Sequence, residues 1–443
     1  MKGAIMLDLH KFFQVTNPAK TLAVENGEDQ KYYIDFSAVR GENIIDTIRD
    51  NISLFYPDQE TYDLFTGHIG CGKSTELLRL KSELKQQGFH VVYFESDQDL
   101  EMGDIHVSDI LLTIAHRVAQ SLEEAGVILK PKYFQSLLRE LQDLFQSIEI
   151  SGISCPLGIA EITTRSKANP RLRDRLRSYL EPRTNQIIES INRELLEPAI
   201  EKLQQQGKRG LVVIIDNLDR IDFSPTPWGR PQPEYLFVDR ATQLRSLHCH
   251  VVYTIPLALL RFSDDYKVIA ERFVADPLVL PMVPVRRRDG QEHEAGMARL
   301  RQMVLARAFP DLSETERLDK ITEVFDSPET LDRLCQVSGG HVRNLLRFLN
   351  KWIKTERRLP LGQERLKAII QEERNQAALG IVSEDWALLR QVAQQKKGMS
   401  VNDDQKSRYQ KLLRNLLVLE YRDQAGSWFD VNPILAEAEE LKL

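Results

Sequence analysis

The residues best suited to chemistry in this chain run from Gly67 to Thr75. Gly67-His68-Ile69-Gly70-Cys71-Gly72-Lys73-Ser74 fits the pattern G-x-x-x-x-G-K-[ST]. Glycines in such a loop let backbone amides curl around phosphate oxygens, which a Cβ would obstruct. Lys73 is placed to reach the β and γ phosphates of a nucleotide. The Ser74 hydroxyl is placed to ligate Mg2+, with Thr75 beside it. A helix that begins here aims the positive end of its dipole at the anion. A second acidic element lies far downstream. The apolar run 211–215 leads straight into Asp216-Asn217-Leu218-Asp219-Arg220. A carboxylate at the end of a buried strand beside a phosphate loop can hold Mg2+, directly or through water. Asp and Asn are also ordinary turn residues after a strand. With the loop upstream, Asp216 reads as the metal-side carboxylate.

These groups need elements to position them. Residues 62–66 read as a strand that delivers the loop. Residues 73–87 read as a helix with Leu77, Leu80 and Leu84 on one face and Gly88 at its end. Residues 90–94 are the next strand. Ser108 is the expected cap of a helix carrying Leu111, Leu112, Ala115, Val118 and Leu122. Strand and helix in alternation point to a parallel sheet with helices on its faces. The short apolar runs 211–215 and 251–255 suit strands buried on both faces. Residues 277–285, with three prolines, read as an irregular last strand. Earlier, 32–34 reads as a short strand and 42–52 as a helix. Between 127 and 207 the rhythm breaks: 147–164 alternates like a hairpin around Cys155-Pro156, and 172–206 reads as one long polar helix. Helices are expected from 288 to about 378. The segment 382–443 reads as two helices and two short strands.

Composition bounds the rest. The chain has 443 residues and a formal net charge of -6, which excludes a protein that coats nucleic acid by bulk charge but not a local basic patch. No apolar run approaches the ~20 residues of a membrane helix, and no signal peptide is evident at the N-terminus. The four cysteines show no paired spacing, which suggests a reducing compartment, most simply the cytoplasm.

In these motifs the chain resembles the AAA+ and STAND groups of P-loop ATPases, especially their origin-recognition-type members. The phosphate loop, 67–75, is the first match. Asp216 to Arg220 is similar to the D-x-x-D-R variant of STAND-like and KAP-like ATPases. Val251-Val-Tyr-Thr254-Ile-Pro256 resembles the strand that carries the sensor-1 polar residue. Ser338-Gly-Gly-His-Val-Arg343-Asn-Leu-Leu resembles the sensor-2 helix of a helical lid. Arg40-Gly41 stands where the family has its adenine-side entry, and Arg272, in Glu271-Arg272-Phe273, where it often places an arginine finger. An equal reading of Arg272 is a surface arginine paired with Glu271 or Asp276.

The resemblance implies an α/β P-loop sandwich of three layers around a parallel sheet, followed by a helical lid and a winged-helix domain. The implied divisions are 1–50, an ATPase core at 51–288 with an insertion at 127–207, a lid at 289–380 and a winged helix at 381–443. It also implies ATP and Mg2+ as cofactors, Lys73, Asp216, Asp219, Thr254, Arg272 and Arg343 as catalytic residues, and assembly into a homo-oligomer through the ATPase domain. Two departures matter. Many AAA+ enzymes have an acidic residue directly after the metal-side Asp to activate water. Here it is Asn217, so either Asp219 takes that role or hydrolysis is slow and the nucleotide acts as a switch. The gap from Lys73 to Asp216 also exceeds what the family core needs.

Weaker signals stand beside plainer readings. Arg165, Lys167, Arg171, Arg173, Arg175, Arg177 and Arg183 could contact nucleic acid or form a solvated face. Arg286-Arg287-Arg288 is equally ambiguous. His248-Cys249-His250 has metal-ligand types, but neighbours on a strand point to opposite faces, which disfavours zinc. Cys71 is read as a variable loop position rather than a redox sensor. The helix 404–417, with Lys406, Arg408, Lys411 and Arg414, could enter a DNA groove, or the winged helix could serve protein contacts, as Trp428-Phe429 favours. The expected function is a Mg2+-dependent ATP switch serving DNA-linked machinery or bacterial defence or signalling. The alternative is a non-hydrolysing, nucleotide-bound scaffold or DNA adaptor.

Overall fold

The computed structural model describes residues 7–23, 25, 27–129, 132–144, 169–226, 229–261, 265–397 and 403–441. The chain forms two compact units. One comprises residues 1–44, 67–79 and 280–443, the other 45–66 and 80–279. The expected hairpin at 147–164, Arg165 and Lys167 lie outside the described residues.

The unit of residues 45–66 and 80–279 is built on a sheet. Its strands are β1 (Tyr62–Gly67), β2 (His90–Glu95), β3 (Leu211–Asp216), β4 (His250–Thr254) and β5 (Leu278–Leu280), in the order β2-β3-β4-β1-β5. β2 with β3, β3 with β4 and β4 with β1 pair in parallel. Every residue of β3 and β4 is buried, as the continuous apolar runs require. Parallel pairing brings the carboxyl ends of these strands to one edge of the sheet. This is the parallel sheet that the strand and helix alternation predicted, and it fits the α/β P-loop sandwich that the resemblance implied.

The helix Val107–Glu124 buries Leu111, Leu112, Ala115, Val118 and Leu122 in the core of this unit. Its cap is His106, not Ser108. The amide of Asp109 donates to the backbone carbonyl of His106 at 3.1 Å, and the Asp109 carboxylate accepts in return from the amide of His106 at 2.8 Å. The long helix expected over 172–206 is divided. Helices Pro170–Leu180, Thr184–Ile191 and Glu197–Gln205 are separated by a 3-10 turn at Glu181–Arg183 and a π turn at Asn192–Leu196. Pro182, with no N–H to donate, explains the first break. Leu176, Leu180, Ile187, Ile191, Leu196 and Leu203 belong to the same hydrophobic cluster as the strands. The described part of the insertion is therefore core.

The other unit is helical. Helices Glu294–Ala308, Pro328–Val337, Val342–Glu356 and Gln363–Ala378 are followed by Ser383–Gln395, Asp403–Arg414 and an antiparallel hairpin of β6 (Val418–Asp423) and β7 (Gly426–Val431). Opposite each other across the hairpin, Tyr421 and Trp428 stack with ring centroids 4.7 Å apart. Tyr421 also donates its hydroxyl to the carbonyl of Gly339 at 2.8 Å, tying the hairpin to the turn before helix Val342–Glu356. Gly340 in that turn has φ +71°, and a Cβ there would lie 1.7 Å from the carbonyl oxygen of Val283, so no other residue fits. The strand expected at 32–34 does not form. The amides of Tyr32 and Tyr33 bond back to the carbonyls of Asp29 and Gln30, closing turns after the short helix Gly27–Gln30.

Candidate functional site

The loop after β1 is defined by where its carbonyls go. The Lys73 ammonium donates to the carbonyls of Gly67 at 2.8 Å and His68 at 2.9 Å. The carbonyl of Ile69 accepts from His341 Nε2 at 2.8 Å. The carbonyl of Gly70 accepts from the amide of Arg343 at 3.1 Å, and that of Cys71 from the buried guanidinium of Arg40 at 2.7 Å. All the carbonyls from Gly67 to Cys71 are thus engaged. A planar peptide points its N–H opposite its C=O. Fixing the carbonyls of Ile69 and Cys71 therefore turns the amides of Gly70 and Gly72 away from those partners. The amide of Cys71 closes a turn onto the carbonyl of His68. The result is a loop whose acceptors are consumed, backed by the first turn of helix Lys73–Gln86, where Ser74 and Thr75 are half-buried. Such a loop suits an anion. The donor set fits a nucleotide polyphosphate.

His68 is buried within the loop and its Nε2 accepts from the amide of Glu420 in β6 at 2.9 Å. Behind the loop, Glu76 is buried and receives the Tyr33 hydroxyl at 3.2 Å and Arg79 Nε at 3.0 Å. Cys71 is fully buried, with its Sγ 3.8 Å from the carbonyl of Leu280.

The end of β3 is built in the other unit. Asp216 is buried, and both of its carboxylate oxygens are engaged. Oδ1 accepts from the amide of Asn217 at 2.7 Å and Oδ2 from the Tyr93 hydroxyl at 2.9 Å. Burial and then the Asp216 carboxylate push the Tyr93 phenol far above its ordinary range, so it stays a donor. Asn217 has φ +66°, in the left-handed region that Asn tolerates better than most residues. Its Nδ2 donates to Asp97 at 2.8 Å, while Arg220 pairs with the other Asp97 oxygen at 2.5 Å. The Thr254 hydroxyl donates to the carbonyl of Ile215 at 3.1 Å and accepts from the amide of Leu218 at 2.9 Å. It stitches β4 to the turn that carries Asp219, which is buried.

No family model matches the chain, and no curated protein matches it. Solved structures do. A Walker-type ATPase of Pyrococcus abyssi matches 96% of this chain and 99% of its own, at 13% identity and a TM-score of 0.43. The ORC2 protein of Aeropyrum pernix, in ADPNP-ADP complexes, matches 90% and 91% at 13% identity and 0.40. Cdc6p of Pyrobaculum aerophilum matches 93% and 96% at 13% identity and 0.39. Likenesses at this level carry no weight of their own; the fold stands on the parallel sheet and the loop it delivers.

The expected site residues fall into two sets. Gly67 to Thr75, Arg40 and Arg343 belong to one unit; Asp216, Asp219, Thr254 and Arg272 belong to the other. Arg272 closes helix Asp265–Phe273, and its guanidinium donates to the carbonyl of Val238, while its own carbonyl accepts from Arg245 at 3.1 Å. It pairs with the backbone rather than with Glu271 or Asp276 in these bonds. Of the arginine run, Arg173 and Arg177 are consumed by Asp104, and Arg177 also by Asp109. Among the candidate DNA-contact residues, Arg408 pairs with Asp385 at 3.2 Å, whereas Lys411 and Arg414 are exposed. His248 and His250 have separate partners, Glu197 and Thr61. Tyr93 and Asp97 were missed in the sequence. The signal was there: a strand ending in Tyr93-Phe94-Glu95 and followed at once by Ser96-Asp97 could only matter once β2 was known to lie beside β3.

Proposed function

We propose that the chain is a Mg2+-dependent ATP-binding and hydrolysing switch. The observation that carries this reading is the loop in which every carbonyl from Gly67 to Cys71 is occupied by a partner. Lys73 exchanges its loop carbonyls for β and γ phosphate oxygens, and the amides of Gly70 and Gly72 complete the cradle. Ser74 and Asp216 are the metal-side groups, and a bound Mg2+ would neutralise phosphate charge. Asp219 orients the attacking water, Thr254 fixes the turn that holds it, and Arg343 and Arg40 answer to the nucleotide from the lid and the N-terminal segment. The proposed divisions are a core at 51–288, a lid at 289–380 and a winged helix at 381–443. The exposed Lys411 and Arg414 supply a contact for a DNA phosphate backbone. Phosphate release by the purified protein, with and without duplex DNA, tests both parts. No release, with or without Mg2+, would leave a nucleotide-bound scaffold, the reading that Asn217 favours.

Assembly is the further part of the proposal, with Arg272 acting on the nucleotide of a neighbouring copy. Its guanidinium must then leave the carbonyl of Val238. Arg272→Ala protein, which keeps its own loop, mixed with Lys73→Ala protein, which keeps its finger, should recover part of the wild-type activity. Absence of recovery, with constant specific activity across concentrations, leaves Arg272 as a helix-end tie.

A further inference from the structure

We infer that His341 is a positioning residue of the phosphate loop, through which the lid helix Val342–Glu356 sets nucleotide affinity. The inference rests on the nucleotide reading above and assigns a residue that the motif itself leaves without a role.

His341 is the N-cap of that helix. Its Nδ1 accepts from the amide of Asn344 at 3.0 Å. An acceptor at Nδ1 leaves the single proton of a neutral imidazole on Nε2, and Nε2 lies 2.8 Å from the carbonyl of Ile69. One ring therefore closes the helix with one nitrogen and holds the loop with the other. An Asp in the cap could accept but not donate, and an Asn could cap without the length to reach across. The neighbouring amide of Arg343 takes the next carbonyl, that of Gly70. Two successive loop carbonyls are thus held by one helix start.

Packing makes the same point. Gly70 has φ +87°, and a Cβ there would lie 2.8 Å from His341 Cε1 and 3.0 Å from the Cβ of Arg343. The ring fits only because the loop has glycine there. His341 is 1% exposed. Burial pushes its pKa down to about 4; the Ile69 bond opposes this, and Arg343, Lys73 and Arg347 add to the lowering. The ring is neutral at physiological pH, as the two bonds require. Lys73 and Arg343 are the nearby cations that a bound polyphosphate would neutralise.

The test separates helix capping from loop positioning. His341→Asn keeps a good cap and loses the bond to Ile69. Titration calorimetry with ADP and a non-hydrolysable ATP analogue should give ~10-fold weaker binding, with the melting temperature of the free protein lowered less than in His341→Ala, which also loses the cap. His341→Ala should lose both affinity and melting temperature. Equal affinity in wild type and His341→Asn overturns the inference and leaves the nucleotide reading intact. A wild type that binds no nucleotide, as Lys73→Ala is expected to, overturns both. If His341→Asn does not fold, histidine-labelled wild type decides. A neutral Nε2–H ring whose resonances shift when ADP is added is the expected result; a ring that ignores ADP, or titrates near 6.5, overturns the inference.

Discussion

The loop after β1 and the turn after β3 end strands of one sheet, yet they solve opposite electrostatic problems. In the proposed function the loop receives an anion, and its acceptors are already consumed: Lys73, His341, Arg343 and Arg40 occupy its carbonyls. The turn must keep an anion, and it does so by supplying donors: the Tyr93 hydroxyl and the Asn217 amide hold the buried Asp216 carboxylate. A loop prepared by its backbone depends on glycine and on partners from other segments. A carboxylate prepared by side chains depends on which strand lies next to it. Mutations should therefore behave differently in the two places.

The largest effect is expected in the loop. Lys73→Ala removes the ammonium proposed to meet the β and γ phosphates, and no neighbour replaces that point charge. Turnover should fall ~10³-fold or more while circular dichroism stays that of the folded protein. Wild-type rates from a folded Lys73→Ala protein would undo the assignment of the loop.

At the turn the two carboxylates should separate. Asp219→Asn should retain ATP and slow hydrolysis by at least ~10²-fold. Asp216→Asn should weaken binding in a Mg2+-dependent way. Normal hydrolysis by Asp219→Asn would mean that another group orients the water.

Asn217→Asp asks whether the acid absent from this position can simply be restored. It replaces a donor to Asp97 with a like charge and keeps the left-handed backbone. We expect a loss of about 1–3 kcal/mol in stability and no gain in turnover, measured by urea unfolding and ATPase rate. A faster enzyme would instead identify this position as the missing base.

A third carboxylate sharpens the contrast with Asp216. Asp63, near the start of β1, is buried and receives Asn51 Nδ2 at 2.7 Å. Burial pushes its pKa up to about 6, and the bond from Asn51 only partly opposes this. A raised folded value means that the native state holds the proton more tightly than the unfolded chain. The stability Asp63 contributes is present at acid pH and is lost as pH rises through about 4 to 6. Asp63→Asn should therefore gain on wild type across that window, ending about 1–3 kcal/mol more stable at pH 7. Urea unfolding at several pH values measures the difference, and a constant difference would show that Asp63 does not titrate in this window.

Much of this was legible in the residues themselves. The loop pattern, the strands 211–215 and 251–255 and the apolar faces of helices 73–87 and 108–122 depend on local periodicity and on glycine. Both act within a few residues of chain, so spacing alone could reveal them. The errors were local competitions that spacing does not resolve. Pro182 divided a periodic run, the turns closed by Tyr32 and Tyr33 replaced a strand, and His106 rather than Ser108 took the cap. The partners of the site were decided only in three dimensions. Asn217 reads in sequence as a lost acid, but its φ of +66° and its bond to Asp97 give it another task. Tyr93 lies 123 residues from Asp216 and reaches it because β2 lies beside β3. His341 lies 272 residues from Ile69. A hydrogen bond needs its partner within about 3 Å, and which distant segments come that close is settled by strand order and helix packing, not by any local pattern.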